Sequence, residues 1–164
     1  MKELGLIYGS LFLECESTTL VSCINRGGKP NVITCSAVFP VQPSYIGVAV
    51  GFTRYSHNLI KQSGEFVVNI PPKELEDAMY FCGSRSGRDY NKFEERHLTP
   101  KPSRKLKTPI IRECIAWMEC KNISQGQTPD HTIFIGEVVA AYAKEEAIDI
   151  YSTLRKTYIN MGSQ

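Results

Sequence analysis

Apolar side chains in this chain recur in short runs broken by glycine, proline and small polar residues, the rhythm of strands and turns rather than of long helices. Thr18 to Asn25 reads as a strand, and Arg26-Gly27-Gly28-Lys29 supplies a glycine-bearing reversal into Asn31, so a hairpin is expected. Two apolar runs follow. One passes through Val32, Ile33 and Ala37-Val38-Phe39, the other spans Tyr45 to Val50, and Pro40 and Pro43 mark the bend between them. These runs are expected to form two neighbouring strands.

After Val50 the period changes. Ser56 is placed to cap a helix of about two turns through Lys61, with Gly64 as the left-handed residue that ends it. Glu65 to Ile70 is a strand, stopped by Pro71-Pro72. Pro72 suits a first helical position, Glu74, Glu76 and Asp77 sit near the positive end of that helix, and Leu75, Ala78, Met79 and Cys82 share an apolar face closed by Gly83. Ser84 to Pro109 then predicts a long excursion with few apolar anchors and one short helix around Asn91 to Glu95; long ordered loops are often functional. Ile110 to Lys121 and Thr132 to Tyr142 read as strands, the second internal, joined by a turn-rich connection from Ser124 to Asp130. Lys144 to Thr153 fits helix and strand equally. Six or so strands with two or three short helices suggest a closed or nearly closed β-barrel.

A length of 164 residues fits one domain, 1–164, which at that size buries roughly 70% of its unfolded surface and needs no disulfide or metal to hold its core. The net charge of +2 selects no partner, but its distribution is uneven. Between Gly83 and Pro109 eight Lys or Arg (Arg85, Arg88, Lys92, Arg96, Lys101, Arg104, Lys105, Lys107) face three acids (Asp89, Glu94, Glu95), leaving +5 there and −3 elsewhere. That segment suits a phosphate-bearing ligand. Interleaved acids and prolines and the absence of any recognisable motif argue against nucleic acid. No apolar run approaches the ~20 residues of a membrane span, and the acid-bearing start is unlike a signal peptide, so a cytoplasmic protein is expected. Six cysteines form no CxxC and no zinc spacing; buried, reduced thiols are expected, with Cys114 and Cys120 on one strand face beside Ala116 and Met118. His57, His97 and His131 lie far apart without HExxH, so no catalytic metal is expected.

The chemistry concentrates from Asn31 to Asn58. Asn31, Thr34 and Ser36 offer amide and hydroxyl groups at one end, and Thr53-Arg54-Tyr55-Ser56-His57 a cation with hydroxyls at the other. A flat heteroaromatic ring with an anionic tail would suit both ends. No GxGxxG follows a strand and no GxxxxGK[ST] is present, which removes the usual signs of a Rossmann site or a P-loop. Asn31-Val32-Ile33-Thr34-Cys35-Ser36 resembles the N-x-x-T-x-S motif of the flavin reductase-like, FMN-binding split-barrel proteins, the group that includes flavoredoxins and archaeal ferric reductases. Four further segments agree in order: Arg54 to Ile60, Gly64 to Pro71, Ser86 to Phe93 and Asp130 to Val138. Each alone is weak, but five in order are specific, and the resemblance runs from about Thr18 to Tyr142.

That resemblance implies a mainly β fold, a six-stranded Greek-key split β-barrel with a few short helices, paired as a homodimer with FMN near the interface. It implies Asn31, Thr34 and Ser36 along the isoalloxazine and ribityl chain, Arg54 and Ser56 at the phosphate, and Lys92 and His131 reaching the flavin from later segments. Where members often carry a bulky aromatic after the motif serine this chain has Ala37, which implies a more open flank to the ring pocket. The implied activity is an oxidoreductase, a flavin reductase-like enzyme taking electrons from NADH or NADPH through FMN to free flavin, ferric iron or a protein acceptor. The alternative is a flavoredoxin-type electron carrier reduced by a partner protein, without a pyridine-nucleotide site.

Overall fold

The structure, a computed structural model, describes residues 18–145 and 147. Strands β1 (Thr19–Ile24) and β2 (Pro30–Cys35) form the expected hairpin, with Thr19 opposite Cys35 and Ile24 opposite Pro30. β3 (Val38–Gln42) and β4 (Tyr45–Gly51) follow, then helix α1 (Tyr55–Ser63), β5 (Glu65–Ile70), a 3-10 turn (Lys73–Leu75) running into α2 (Glu76–Ser84), and the one-turn α3 (Lys92–Glu95). Short strands β6 (Pro100–Lys101) and β7 (Ile110–Ile111) pair with each other, and the long β8 (Ala116–Gln127) and β9 (His131–Ala143) complete the set. The ambiguous stretch from Lys144 to Thr153 falls mostly outside the described residues.

All neighbours in the main sheet are antiparallel, in the order β2-β1-β5-β8-β9-β4-β3. β2 and β3 are therefore consecutive in the chain yet lie at opposite edges, and only Ser36-Ala37 separates them. The sheet must roll to bring those edges together. Cys35 Sγ donates to Ala49 O at 3.3 Å and Ala49 N to Ala37 O at 3.0 Å, but no continuous ladder joins β2 to β4. The main sheet has seven strands where six were expected, and it is not the closed or nearly closed barrel that the strand pattern suggested, but it is split, as the resemblance implied.

Alternation along the strands fills both faces of the roll. Val21, Cys23, Ile33, Val48, Val50, Phe66, Val68, Cys120 and Phe134 meet Leu59 and Ile60 of α1 in an inner cluster drawn from both edges of the sheet. Leu20, Val32, Val67 and Trp117, which alternate with them, meet Ala78 and Cys82 of α2, Phe93 of α3, and Leu98, Ile110 and Ile111. Both faces are buried there, so β1 and β5 carry almost no exposed residue.

Several expected boundaries shift for identifiable reasons. The run from Asn31 to Phe39 is not one strand, because the chain crosses the split at Ser36-Ala37. Pro40 lies inside β3, tolerated on an outermost strand whose register slips between Pro40 and Gln42. Ser56 is inside α1, whose N-cap is Arg54, while Gly64 ends the helix at φ 70 as expected. Pro72 caps the 3-10 turn, and Gly83 lies within α2 rather than closing it. Ile110 to Lys121 is interrupted at 112–115, which puts Cys114 in the outer cluster and Cys120 in the inner one instead of on a shared face. Ser124 to Gln127 continue β8, held by β9, and the reversal is confined to 128–130.

The excursion is anchored more firmly than its few apolar residues imply, because buried and half-buried polar side chains clasp it. Glu119, fully buried, accepts from the backbone N–H of Arg104 and Lys105 at 2.7 Å each and from the Tyr142 hydroxyl at 2.8 Å. Burial and that carboxylate push the Tyr142 hydroxyl well above its ordinary range. Glu65 accepts from Thr108 N and Oγ1, and Asn69 accepts from Ile111 N while donating to Leu20 O. Replacing Glu119 by Ala leaves three donors without their acceptor, so we expect a loss of roughly 3 kcal/mol in urea unfolding, against about 1 kcal/mol for Tyr142→Phe. Equal small losses would show that the clasp does not hold the excursion.

Candidate functional site

Where β2, the start of α1, the end of α2 and the first part of the excursion meet, the surface opens into a cleft of about 490 Å³, partly open to solvent. Its walls are Ile33, Thr53 to Ser56, Cys82 to Arg88, and Lys92. Four cationic residues (Arg54, Arg85, Arg88, Lys92) and the hydroxyl-bearing Thr53, Tyr55, Ser56, Ser84 and Ser86 line it, with no carboxylate among the described lining residues. Among the described residues the first turn of α1 carries no acid and receives no side-chain cap, which leaves its first N–H groups and its positive end without a carboxylate partner there. Such a donor set suits an anion.

Each wall has a local cause. The turn before α1 is set by Arg54 N donating to Gly51 O at 3.0 Å, which turns the Arg54 side chain out to solvent. Its Nη1 reaches Gly83 O at 3.4 Å. Ser56 is buried and its Oγ accepts from Asn31 Nδ2 at 2.8 Å, so a β2 amide orients a helix hydroxyl. Gly87 crosses directly over that amide: a Cβ there would come within 2.0 Å of Asn31 Oδ1, and only glycine permits the approach. Arg88 lies 5.3 Å from the Tyr55 ring centre and donates to Thr53 O at 3.4 Å.

Lys92 is only 4% exposed, and its ammonium donates to Val32 O at 2.8 Å and Cys82 O at 2.7 Å, stitching α3 to β2 and to the last turn of α2. Burial lowers its pKa from the ordinary 10.5, with Arg54 acting in the same direction and Cys82 and Cys23 against it. A lowered lysine pKa means that the charged form costs folding stability, a cost that fades as pH rises from the lowered value toward 10.5. Among the described residues five cysteines are free and buried. Burial pushes Cys23, Cys35 and Cys82 up to about 11, and Cys114 and Cys120 up to about 12, so all are neutral thiols near pH 7.

Of the residues singled out in the sequence, Arg54, Ser56 and Lys92 line this cleft and Asn31 lies beneath it, bonded to Ser56. Thr34 is turned to α2, where its hydroxyl bonds Met79 O. Ser36 and Ala37 are exposed at the crossing between the sheet edges. His131 begins β9 opposite Gly51, its Nδ1 2.8 Å from Asp130 Oδ1, a contact that holds the Asp130 carboxyl below its usual range. A side chain at Gly51 would meet His131 Nε2 at 3.5 Å and Arg54 Cγ at 3.6 Å, so these two flank one spot. Sequence reasoning did not single out Ser84, Arg85, Ser86, Gly87 or Arg88 as site residues, although the +5 segment contains all five, and it named Thr53 only as part of the stretch from Thr53 to His57.

A rolled, split antiparallel sheet with a cationic cleft beside helix α1 defines a split-barrel protein with an anion-receptive site. The chain belongs to the flavin reductase-like domain family, a family of flavoprotein oxidoreductases, whose sequence profile matches residues 14–158. It is 45% identical to a protein of Archaeoglobus fulgidus over 113 residues, 68% of this chain and 64% of the relative. The ferric-chelate reductase (NAD(P)H) of the same organism is 30% identical over 107 residues, 65% of this chain and 62% of that one. The chain thus spans less than two thirds of the length of either. The crystal structure of flavoredoxin from Methanosarcina acetivorans superposes with a TM-score of 0.73 at 30% identity, covering 79% of this chain and 69% of that one.

Because burial lowers the Lys92 pKa from its ordinary 10.5, binding of sulfate, whose charge is constant, is expected to weaken as pH rises toward 10.5, with Lys92→Met weaker at neutral pH and less dependent on pH. Calorimetric titration at several pH values checks this. Identical profiles for the two proteins would remove Lys92 from the anion's surroundings.

Proposed function

We propose that the protein, acting as one domain over residues 1–164, is an FMN-dependent oxidoreductase that takes electrons from NADH or NADPH and passes them to free flavin, ferric iron or a protein acceptor. The observation that carries this reading is the carboxylate-free cleft with four cations at the uncapped start of α1, a setting for the flavin's phosphate. Arg54 and Ser56 hold the phosphate, helped by Arg85, Arg88 and the charge of Lys92. Asn31 acts by orienting Ser56, and Thr34 by fixing α2 against β2. Ser36, Ala37 and His131 lie on the ring side, with Ala37 leaving that flank open and the Asp130 carboxylate holding the imidazole in one orientation. Bound flavin supplies the redox chemistry, and the protein its binding, orientation and potential.

The exposed Ser36-Ala37 crossing and the long basic excursion suit a homodimer in which the excursion closes over the partner's cofactor. The five cysteines among the described residues are free thiols, which suits a reducing compartment such as the cytoplasm. A second reading, an electron carrier reduced by another protein, is favoured by the exposure of Arg85, Arg88 and Arg96 together, since a basic rim steers an acidic redox partner.

A visible absorbance spectrum before and after anaerobic addition of NADH and then NADPH tests the assignment. Flavin bands bleached by nucleotide, with FMN released on denaturation, are expected; bands bleached only by dithionite would select the carrier, and no flavin uptake would sink both. Arg54→Ala is expected to weaken FMN binding by about 1.5 kcal/mol, the low end for a charge-assisted bond because the guanidinium is exposed. Unchanged affinity in a fluorescence titration would take Arg54 out of the site.

A further inference from the structure

A second pocket, of about 550 Å³, lies between the β1–β2 turn and the excursion, next to the cationic cleft, with which it shares Tyr55, Gly87 and Arg88. Its other walls include Asn25, Lys29, Tyr90 and Asn91, and no carboxylate is among its described lining residues. Local contacts fix each wall. Gly28 takes a left-handed φ of 80, and Asn25 Oδ1 accepts from Lys29 N at 2.9 Å, which sets the turn that carries the Lys29 side chain. On the excursion the Arg88 guanidinium lies 5.3 Å from the Tyr55 ring centre, and the Tyr90 ring meets Phe81 edge to face at 5.6 Å. Gly87 lines both pockets, so part of the wall between them is bare backbone; a Cβ there would come within 3.1 Å of Tyr55 Cδ1 as well as striking Asn31.

The fold makes little use of this donor set. Neither Lys29 nor Arg88 enters an ion pair among the described residues, and Asn91 precedes α3 without capping it through its side chain. A guanidinium fork takes one carboxylate bidentately, an ammonium takes another as a point charge, and amides and phenols serve the remaining oxygens. Two cations on separate walls match two separated carboxylates better than one compact anion. We propose that this pocket is an effector site for a small dicarboxylate, one end held by Lys29 and the other by Arg88. Because Arg88 also lines the cationic cleft, a dicarboxylate here and an anion there draw on the same guanidinium, and each weakens the other. The dicarboxylate site stands on its own residues; only the identity of the opposing anion, FMN, rests on the redox reading.

The test is calorimetric titration of malonate into the full chain, with and without saturating FMN, and of FMN with and without saturating malonate. Malonate is expected to bind, with Lys29→Met weakening it by about tenfold and Tyr90→Phe by about threefold. FMN affinity without malonate should be unchanged in both variants, since neither residue lines the first cleft. Lys29 is exposed on a turn, and Tyr90→Phe keeps the ring against Phe81, so both variants keep the fold. Saturating FMN is expected to weaken malonate by about threefold, and saturating malonate to weaken FMN by the same factor, as linkage requires. No malonate binding, or equal binding by wild type and Lys29→Met, overturns the proposal. Complete loss of malonate binding once FMN is bound would put the malonate in the cationic cleft and overturn it too, and equal malonate affinity with and without FMN overturns the shared guanidinium. Inorganic phosphate held more tightly than malonate, with the same loss in Lys29→Met, overturns the dicarboxylate assignment. Malonate binding that depends on Lys29, in a protein that takes up no FMN, would sink the redox reading and leave this site standing.

Discussion

Positive charge gathered into one segment repels itself, and the segment from Gly83 to Pro109, with eight cations against three acids, is ordered because buried acceptors hold it at spaced points. Glu119 takes the backbone of Arg104 and Lys105, Glu65 takes Thr108, Asn69 takes Ile111, and the carbonyls of Val32 and Cys82 take Lys92. Three of these anchors grip backbone rather than charged side chains. The guanidiniums of Arg85 and Arg88 are thereby left exposed beside the cleft while the chain that carries them is fixed.

The cleft follows from two helix ends meeting over the edge of a sheet. The start of α1 presents N–H groups that no side chain caps among the described residues, and the end of α2 presents carbonyls that Lys92 and Arg54 occupy. With the negative end of α2 neutralised, the positive end of α1 dominates the local field. Gly87 completes the arrangement by passing so close to Asn31 that the excursion lies directly on β2, and Asn31 in turn holds Ser56. The charge, the helix end and the oriented hydroxyl thus converge through contacts among residues far apart in the chain.

Strongly alternating stretches bounded by glycine or proline were legible from the sequence: the β1–β2 hairpin, and Glu65 to Ile70 to the residue. So was the apolar face of α2, because Leu75, Ala78, Met79 and Cys82 face the outer cluster as their spacing requires. Ser124 to Gln127 looked like a turn because their side chains are exposed, yet backbone pairing with β9 keeps them extended. The roles of Glu65, Asn69 and Glu119 as clasps depend on a partner loop that local pattern does not encode. In the cleft, Arg54, Ser56 and Lys92 stood out, whereas Arg85 had only a charge excess to mark it and Gly87 and Arg88 only their place in the segment from Ser86 to Phe93, since their positions are set by the fold of the excursion.

The central claim is that the cationic cleft at the start of α1 receives the flavin's phosphate. A crystal structure of the protein grown with FMN tests it most directly. The account predicts phosphate oxygens within hydrogen-bonding distance of Ser56 Oγ or the first N–H groups of α1, with the Arg54 guanidinium turned onto them and Arg85 or Arg88 closing the other side. Phosphate density elsewhere on the sheet, with this cleft holding only solvent, would contradict it.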